Sequence, residues 1–175
     1  GAQIPVGPLY HVPLAEAVAP DGRVARIEES FQRLHQRLLA AHVAVDIVDE
    51  RALEEARVEQ DRLAVGAQQY RVVVLPFATH LAPESAALLA TFARGGGALY
   101  ADPGVDAATL RAIGAQAMPE ADLVHRLGAD VPAGLPAGCY ARFFDDGARR
   151  LTLLFNHTTR PVAVAAWAQA HTRLA

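Results

Sequence analysis

Four carboxylates and one histidine are placed where they could act on a ligand. Asp46 interrupts the apolar run Val43–Val48, and Asp49 and Glu50 follow it. His80 follows Val72–Leu75, and Asp102 follows Ala98–Ala101. Each run reads as a short buried strand. In open α/β sheets ligands bind outside the carboxyl ends of the strands, so Asp49, Glu50, His80 and Asp102 form a candidate ligand rim, with Asp46 beside it. Two carboxylates flanking a glycosidic bond can hydrolyse it as acid and base or nucleophile. That chemistry needs one of them desolvated, and nothing in the sequence marks such a residue. Asp49 also has a simpler role, as cap of a short helix Ala52–Ala56.

Nucleophiles are scarce. The only serines, Ser30 and Ser85, fall inside predicted helices and outside any G-x-S-x-G turn. Cys139 leads into a β segment with no histidine near it in sequence, and a buried, inert thiol is its expected state. The histidines at 11, 35, 42, 80, 125, 157 and 171 form neither H-x-H nor H-E-x-x-H. His35 and His42, seven apart, could share a helix face, but ligands on one helix usually lie three or four apart, so both read as helix-surface or helix-end residues. His157 falls at a hairpin turn. Gly95-Gly96-Gly97 comes after a helix and before a strand, the reverse of a phosphate-cradling loop. Asp145-Asp146 most simply make a turn. Tyr10, Tyr70, Tyr100, Tyr140 and Trp167 could stack on sugars, although aromatics are only 6% of the chain and core packing is their default use. No metal and no cofactor is expected.

The elements that must position these residues centre on Tyr70–Asp102. Val72–Leu75 is a strand, and Pro83 opens a helix with Leu88, Leu89 and Phe92 on its apolar side. The three glycines stop it, and Ala98–Ala101 is a second strand. A strand–helix–strand unit implies a parallel sheet with a right-handed crossover. Before it, Asp21 is expected to cap a helix Arg23–Ala41 with Val24, Ile27, Phe31, Leu34 and Leu38 on one face, while Glu29 and Arg33 lie four apart in the favourable order on the other side. Val58–Val65 reads as a hairpin turning at Gln60-Asp61. After the unit, Asp106 caps a helix Ala107–Ile113 closed by Gly114. Residues 115–136 suggest a loop with one short strand or helical turn. Gly138–Phe144, Arg149–Asn156 and Pro161–Trp167 read as an antiparallel meander, with a hairpin turn at Asp145-Asp146-Gly147. Near the N-terminus, Pro5 and Pro8 argue against a central strand. The expected organisation is an irregular segment 1–22, an α/β domain 23–135 and a β extension 136–175 that begins a further domain or extends the main sheet.

Composition narrows the function. The 175-residue chain is 52% hydrophobic, ample for a core, with net charge −3. Its pI near 6.2 gives no electrostatic reason to expect nucleic acid. Every basic side chain apart from histidine is arginine, an effect that GC-rich codon usage explains. One cysteine excludes an internal disulfide and a cysteine-rich zinc site. No apolar run is long enough to span a membrane. The N-terminus shows no signal segment, which favours the cytoplasm, and Gly1 in place of methionine suggests a cleaved tag or an excised fragment.

The segments LLAAHVAVDIVDERAL, DRLAVGAQQYRVVVLP and LAPESAALLATFARGGGALYAD resemble the glutamine-amidotransferase-like domain of bacterial multidomain glycoside hydrolases. The nearest type is the middle, trimerisation-type domain of family 42 β-galactosidases, with related domains in rhamnosidase-like enzymes. The shared pattern is Asp49-Glu50 after a strand, Tyr70 leading into Val72–Pro76, and the Gly95–Gly97 stop, within about residues 23–113. The tail FNHTTRPVAV is similar to the β segments that follow such domains. The resemblance implies a flavodoxin-like three-layer parallel sheet, class I glutamine amidotransferase-like, followed by a short antiparallel meander. Class I amidotransferases carry a cysteine at a strand-to-helix elbow. The corresponding turns here, PFATHLAPE and ADPGVDAA, hold neither cysteine nor serine, so no catalytic residue carries over. What the resemblance implies is a non-catalytic accessory domain of a glycosidase, serving oligomerisation or active-site support. Its partners would be the other domains of the parent enzyme, further copies of itself, or carbohydrate. Two alternatives stay open: a small stand-alone amidotransferase-like or trehalose-utilisation-like hydrolase using Cys139, or His80 with Asp49 and Asp102; and a carbohydrate-binding module.

Overall fold

A computed structural model describes residues 4–5, 22–128, 134–136, 138–145, 150–156 and 158–163. Its centre is the strand–helix–strand unit. β6 (Val72–Leu75) and β7 (Ala98–Ala101) pair in parallel, with Val72 opposite Ala98 and Leu75 opposite Ala101. α3 (Pro83–Arg94) crosses between them. β7 pairs in parallel with β8 (Gln116–Ala117), reached through α4 (Ala107–Ile113). A second parallel pair joins β1 (Ile4–Pro5) to β2 (Val45–Asp46), and β1 also lies close beside β6.

The side-chain period of two sorts β6 and β7 between two cores. Val73, Leu75, Leu99 and Ala101 face Leu89 and Phe92 of α3 and Ile113 of α4. Val74 and Tyr100 face Leu34 and Leu38 of α1 (Arg23–Ala40) and Leu123 of α5 (Glu120–Gly128). Helices therefore cover both faces of the parallel strands. Runs such as VVVL need no polar alternation because neither face meets water.

Between α2 (Glu50–Glu54) and β6 lies an antiparallel sheet of β3 (Arg57–Glu59), β4 (Arg62–Val65) and β5 (Gln68–Tyr70). The expected hairpin over Val58–Val65 is present, with Gln60 at φ 58° in its turn. The third strand, β5, was not expected from the sequence: Gly66 turns the chain back at positive φ rather than releasing it into β6. Tyr70 is buried, and its hydroxyl donates to Asp46 Oδ2 (3.1 Å).

Pro5 lies in a two-residue strand that pairs with β2 alone, consistent with the expectation against a central strand, since few ladder bonds there depend on the N–H that proline lacks. Several expectations need correction. The strand expected over Val43–Val48 narrows to Val45–Asp46. The closest carboxylate to Arg33 is Glu120, at Oε2 (2.7 Å), with the Glu29 charge a smaller contribution, while Arg37 reaches Glu120 Oε1 (2.7 Å). That hydrogen bond and charge raise the Arg33 pKa further, and the fork fastens α1 to α5. Residues 115–136 hold more order than expected, since α5 is nine residues long. Its apolar Leu123, Val124 and Leu127 pack toward α1 and the sheet, a helical spacing that alanine, proline and glycine obscure in the sequence.

β9 (Cys139–Asp145) and β10 (Arg150–Asn156) form an antiparallel pair, with Cys139 opposite Asn156. Residues 161–163 of the expected third strand are not in strand conformation; Asn156 instead closes a turn, accepting from Thr158 N–H (2.8 Å) and donating to Arg160 O (2.8 Å). The rest of that strand, the Asp21 cap, His157 and the turn at Asp146-Gly147 lie outside the described residues. Among these residues no helix is long and apolar enough to cross a membrane.

Candidate functional site

The carboxyl ends of β2, β6 and β7 are where the sequence places its candidate rim. Asp49, Glu50 and Asp102 each hold backbone, whereas Asp46 accepts from the Tyr70 hydroxyl. Asp49 precedes α2, and its Oδ1 accepts from Ala52 N–H (2.8 Å), the capping role expected of it. Glu50 opens α2 and reaches across to α3, where its Oε1 accepts from Ala82 N–H (2.9 Å). Ala82 immediately precedes α3, and its N–H, which no partner within the helix can satisfy, is met by this distant carboxylate. Asp102 ends β7; its Oδ1 accepts from Gly104 N–H (2.6 Å) and shapes the turn before Val105. His80 is exposed on the loop between β6 and α3.

One further residue joins these loops, and the sequence reading dismissed it. Ser30 lies on the buried face of α1, 4% exposed. Its Oγ accepts from Phe77 N–H (3.0 Å) beyond the end of β6, and its hydroxyl donates to Asp102 Oδ2 (3.4 Å) beyond the end of β7. A single hydroxyl thus ties α1 to two neighbouring strand ends. The signal was present in the sequence: Ser30 is a polar residue at helical spacing between Ile27 and Leu34. A polar group in a buried stripe must find partners. Arg26, one turn before Ser30, lays its guanidinium over the Phe77 ring, 4.1 Å from the centroid. Space there is tight: a Cβ on Gly104 would come within 2.9 Å of both Arg26 and Asp102.

The structure therefore brings Asp102 together with Ser30, Arg26 and Phe77. Asp49 and Glu50 stand at the start of α2, and Glu50 spans to the start of α3. His80 joins neither group through any hydrogen bond or ion pair among the described residues. No group of three or more histidine, cysteine, aspartate or glutamate side chains among them is arranged to hold a metal ion. Cys139 is 2% exposed beneath Leu135, Leu154 and Val162, away from the rim. His35 stacks on Phe31 (5.9 Å between centroids), whereas His42 lies beyond the helix end at φ 59°, so the two share no face. What this edge does chemically is fix loop geometry, with its carboxylates already engaged by amide donors. Compared with models of known protein families, with curated proteins and with solved structures, the chain matches none.

Proposed function

We propose that this chain is a non-catalytic accessory domain of a multidomain glycoside hydrolase, serving oligomerisation or support of a neighbouring active site. The observation that carries the reading is the use made of the rim. Asp49, Glu50 and Asp102 each accept a backbone N–H, from Ala52, Ala82 and Gly104. Carboxylates so engaged serve the fold, and a rim built this way is a scaffold. The resemblance of residues 23–113 to the amidotransferase-like domains of glycosidases supplies the context. The neighbour relations β2–β1–β6–β7–β8, with helices on both faces, support the finer assignment to a flavodoxin-like sheet. Burial of Cys139 weighs against the stand-alone thiol hydrolase, whose nucleophile must meet its substrate.

The test is an assay of the full chain for sugar release from β-galactosides and α-rhamnosides, alongside sedimentation equilibrium. The expected result is no turnover above the uncatalysed rate, with Asp102→Asn lowering stability alone. Turnover by homogeneous protein that Asp102→Asn abolishes while the fold persists would overturn the proposal.

A further inference from the structure

Helix α1 ends in paired hydrogen bonds. Val43 N–H donates to Leu38 O (2.9 Å) and His42 N–H donates to Leu39 O (2.9 Å). This stop holds residue 42 at φ 59°, a left-handed conformation that glycine adopts without strain and a side chain resists. The chain nevertheless carries histidine there. Its imidazole stands in the seam between the end of α1 and the β9–β10 pair, with Leu39, Val43 and Val45 on one side and Tyr140 and Phe155 on the other. Tyr140 meets the imidazole edge-on, centroids 6.1 Å apart and planes at 65°. Nδ1 of His42 is buried out of reach of water and has no hydrogen-bond partner.

The β9–β10 pair sits lightly on the rest of the molecule. Its apolar cluster is Leu135, Cys139 and Ala141 with Leu154 and Val162, and it shares no residue with the two clusters of the α/β body. Phe155, in the seam itself, remains 47% exposed. An element so loosely packed separates at low cost, so the state of one ring in the seam can decide whether it stays. Protonation of a neutral imidazole adds an N–H and a positive charge. At Nδ1 the donor would meet neither water nor a carboxylate. The ring faces Leu39 of α1, Val45 of β2 and Phe155 of β10, and Tyr140 of β9 is the titratable side chain beside it among the described walls. A buried charge without a partner is strongly disfavoured, and moving the ring into water relieves it. We propose that His42 is an acid-sensitive latch: while neutral it seats the β9–β10 pair against the end of α1, and its protonation releases the pair with the α/β body still folded. Burial lowers the imidazole pKa, the sign expected when the seated state favours the neutral ring. Release therefore sets in as pH falls from the ordinary value of 6.5 through the seated one. The inference stands apart from the accessory-domain reading and holds or fails without it.

Nuclear magnetic resonance of the full chain between about pH 8 and about pH 5, with circular dichroism alongside, tests it. Expected is loss of the nuclear Overhauser effect between the His42 and Tyr140 rings as the imidazole titrates. Amide shifts through residues 139–145 and 150–156 should share that midpoint while the helical signal persists. His42→Asn and His42→Gly suit the left-handed backbone and carry no charge, so both lose the transition. Tyr140→Phe removes the phenol and keeps it. A His42 ring that titrates with its contact to Tyr140 intact overturns the proposal. So do shifts confined to the neighbours of His42, no transition before the helices unfold, one that survives in both His42 variants, or one that disappears in Tyr140→Phe.

Discussion

Replacing Ser30 by alanine deletes one oxygen and leaves the Phe77 N–H buried without its acceptor. An orphaned buried donor costs about 1–3 kcal/mol, and urea unfolding of Ser30→Ala is expected to show a loss of that size. A change within a few tenths of a kcal/mol of wild type would mean that the hydroxyl is not the acceptor. His42 gives a pH-dependent counterpart. Burial depresses its pKa below the ordinary 6.5, and the titratable ring that meets it is Tyr140, edge-on. The unfolded chain then binds a proton that the folded chain resists. Above the unfolded pKa this contributes nothing; as pH falls through about 6.5 towards the folded value, stability drops, and the loss is complete below it. The difference in unfolding free energy between about pH 8 and about pH 5 should therefore shrink in His42→Gly. That variant itself should stay within about 1 kcal/mol of wild type, because relief of the left-handed strain offsets glycine's greater unfolded-state freedom. An unchanged pH dependence in His42→Gly would assign the acid sensitivity elsewhere.

Between α3 and β7 the run Gly95-Gly96-Gly97 reads in the sequence as one helix stop, and the structure divides it into three separate needs. Gly96 takes φ 96°, the left-handed requirement. A Cβ on Gly95 would run into the carbonyl oxygen of Gln60 in the β3–β4 turn. A Cβ on Gly97 would run into the ring of Phe92, which is fully buried. The last two are close approaches between elements distant in sequence or folded back on one another, so local propensity could not announce them. Gly97→Ala is expected to destabilise by about 1–3 kcal/mol through overpacking, and by distinctly less in a Phe92→Leu background, where the ring is gone. Equal costs in the two backgrounds, measured as a double-mutant cycle by denaturant unfolding, would show that backbone conformation sets the cost. The fork of Arg33 and Arg37 on Glu120 teaches a related lesson about helices. Spacing along α1 pointed to Glu29, but the partner came from α5, brought near by Leu34, Leu38 and Leu123 packing on one face. Both arginine side chains are about half exposed, 51% and 54%, so the fork orients α5 more than it stabilises it.

Across the whole molecule, legibility followed the distance between a residue and its partner. Elements whose signals are local came through: the β6–α3–β7 unit, the Asp49 and Asp106 caps, and the Gln60 turn. Elements that tertiary pairing alone creates did not, such as the two-residue β1 with its proline and the return strand β5. At the candidate site the positions were readable, and so was the Asp49 cap, but the roles of Glu50 and Asp102 were not, since the Ala82 N–H that donates to Glu50 and the Ser30 hydroxyl that donates to Asp102 come from elements distant in sequence. The same separation of scales bears on Cys139. It sits in a cluster whose buried members among the described residues are Leu135, Cys139 and Ala141, packed by Leu154 and Val162. The cluster around Phe92, Leu63 and Leu75 joins α2, α3, α4, the β3–β5 sheet and the parallel strands. Small clusters open at lower free energy than the large core to which a domain's global stability belongs. Thiol labelling across a urea series should therefore modify Cys139 by a sub-global opening, at urea concentrations where circular dichroism still reports intact helices. Native protein without urea should react far more slowly than unfolded protein, because the thiol is 2% exposed. Leu154→Ala should accelerate labelling without shifting the helical transition by a comparable amount. If labelling instead follows the helical transition point for point, the β9–β10 pair shares the cooperativity of the α/β body.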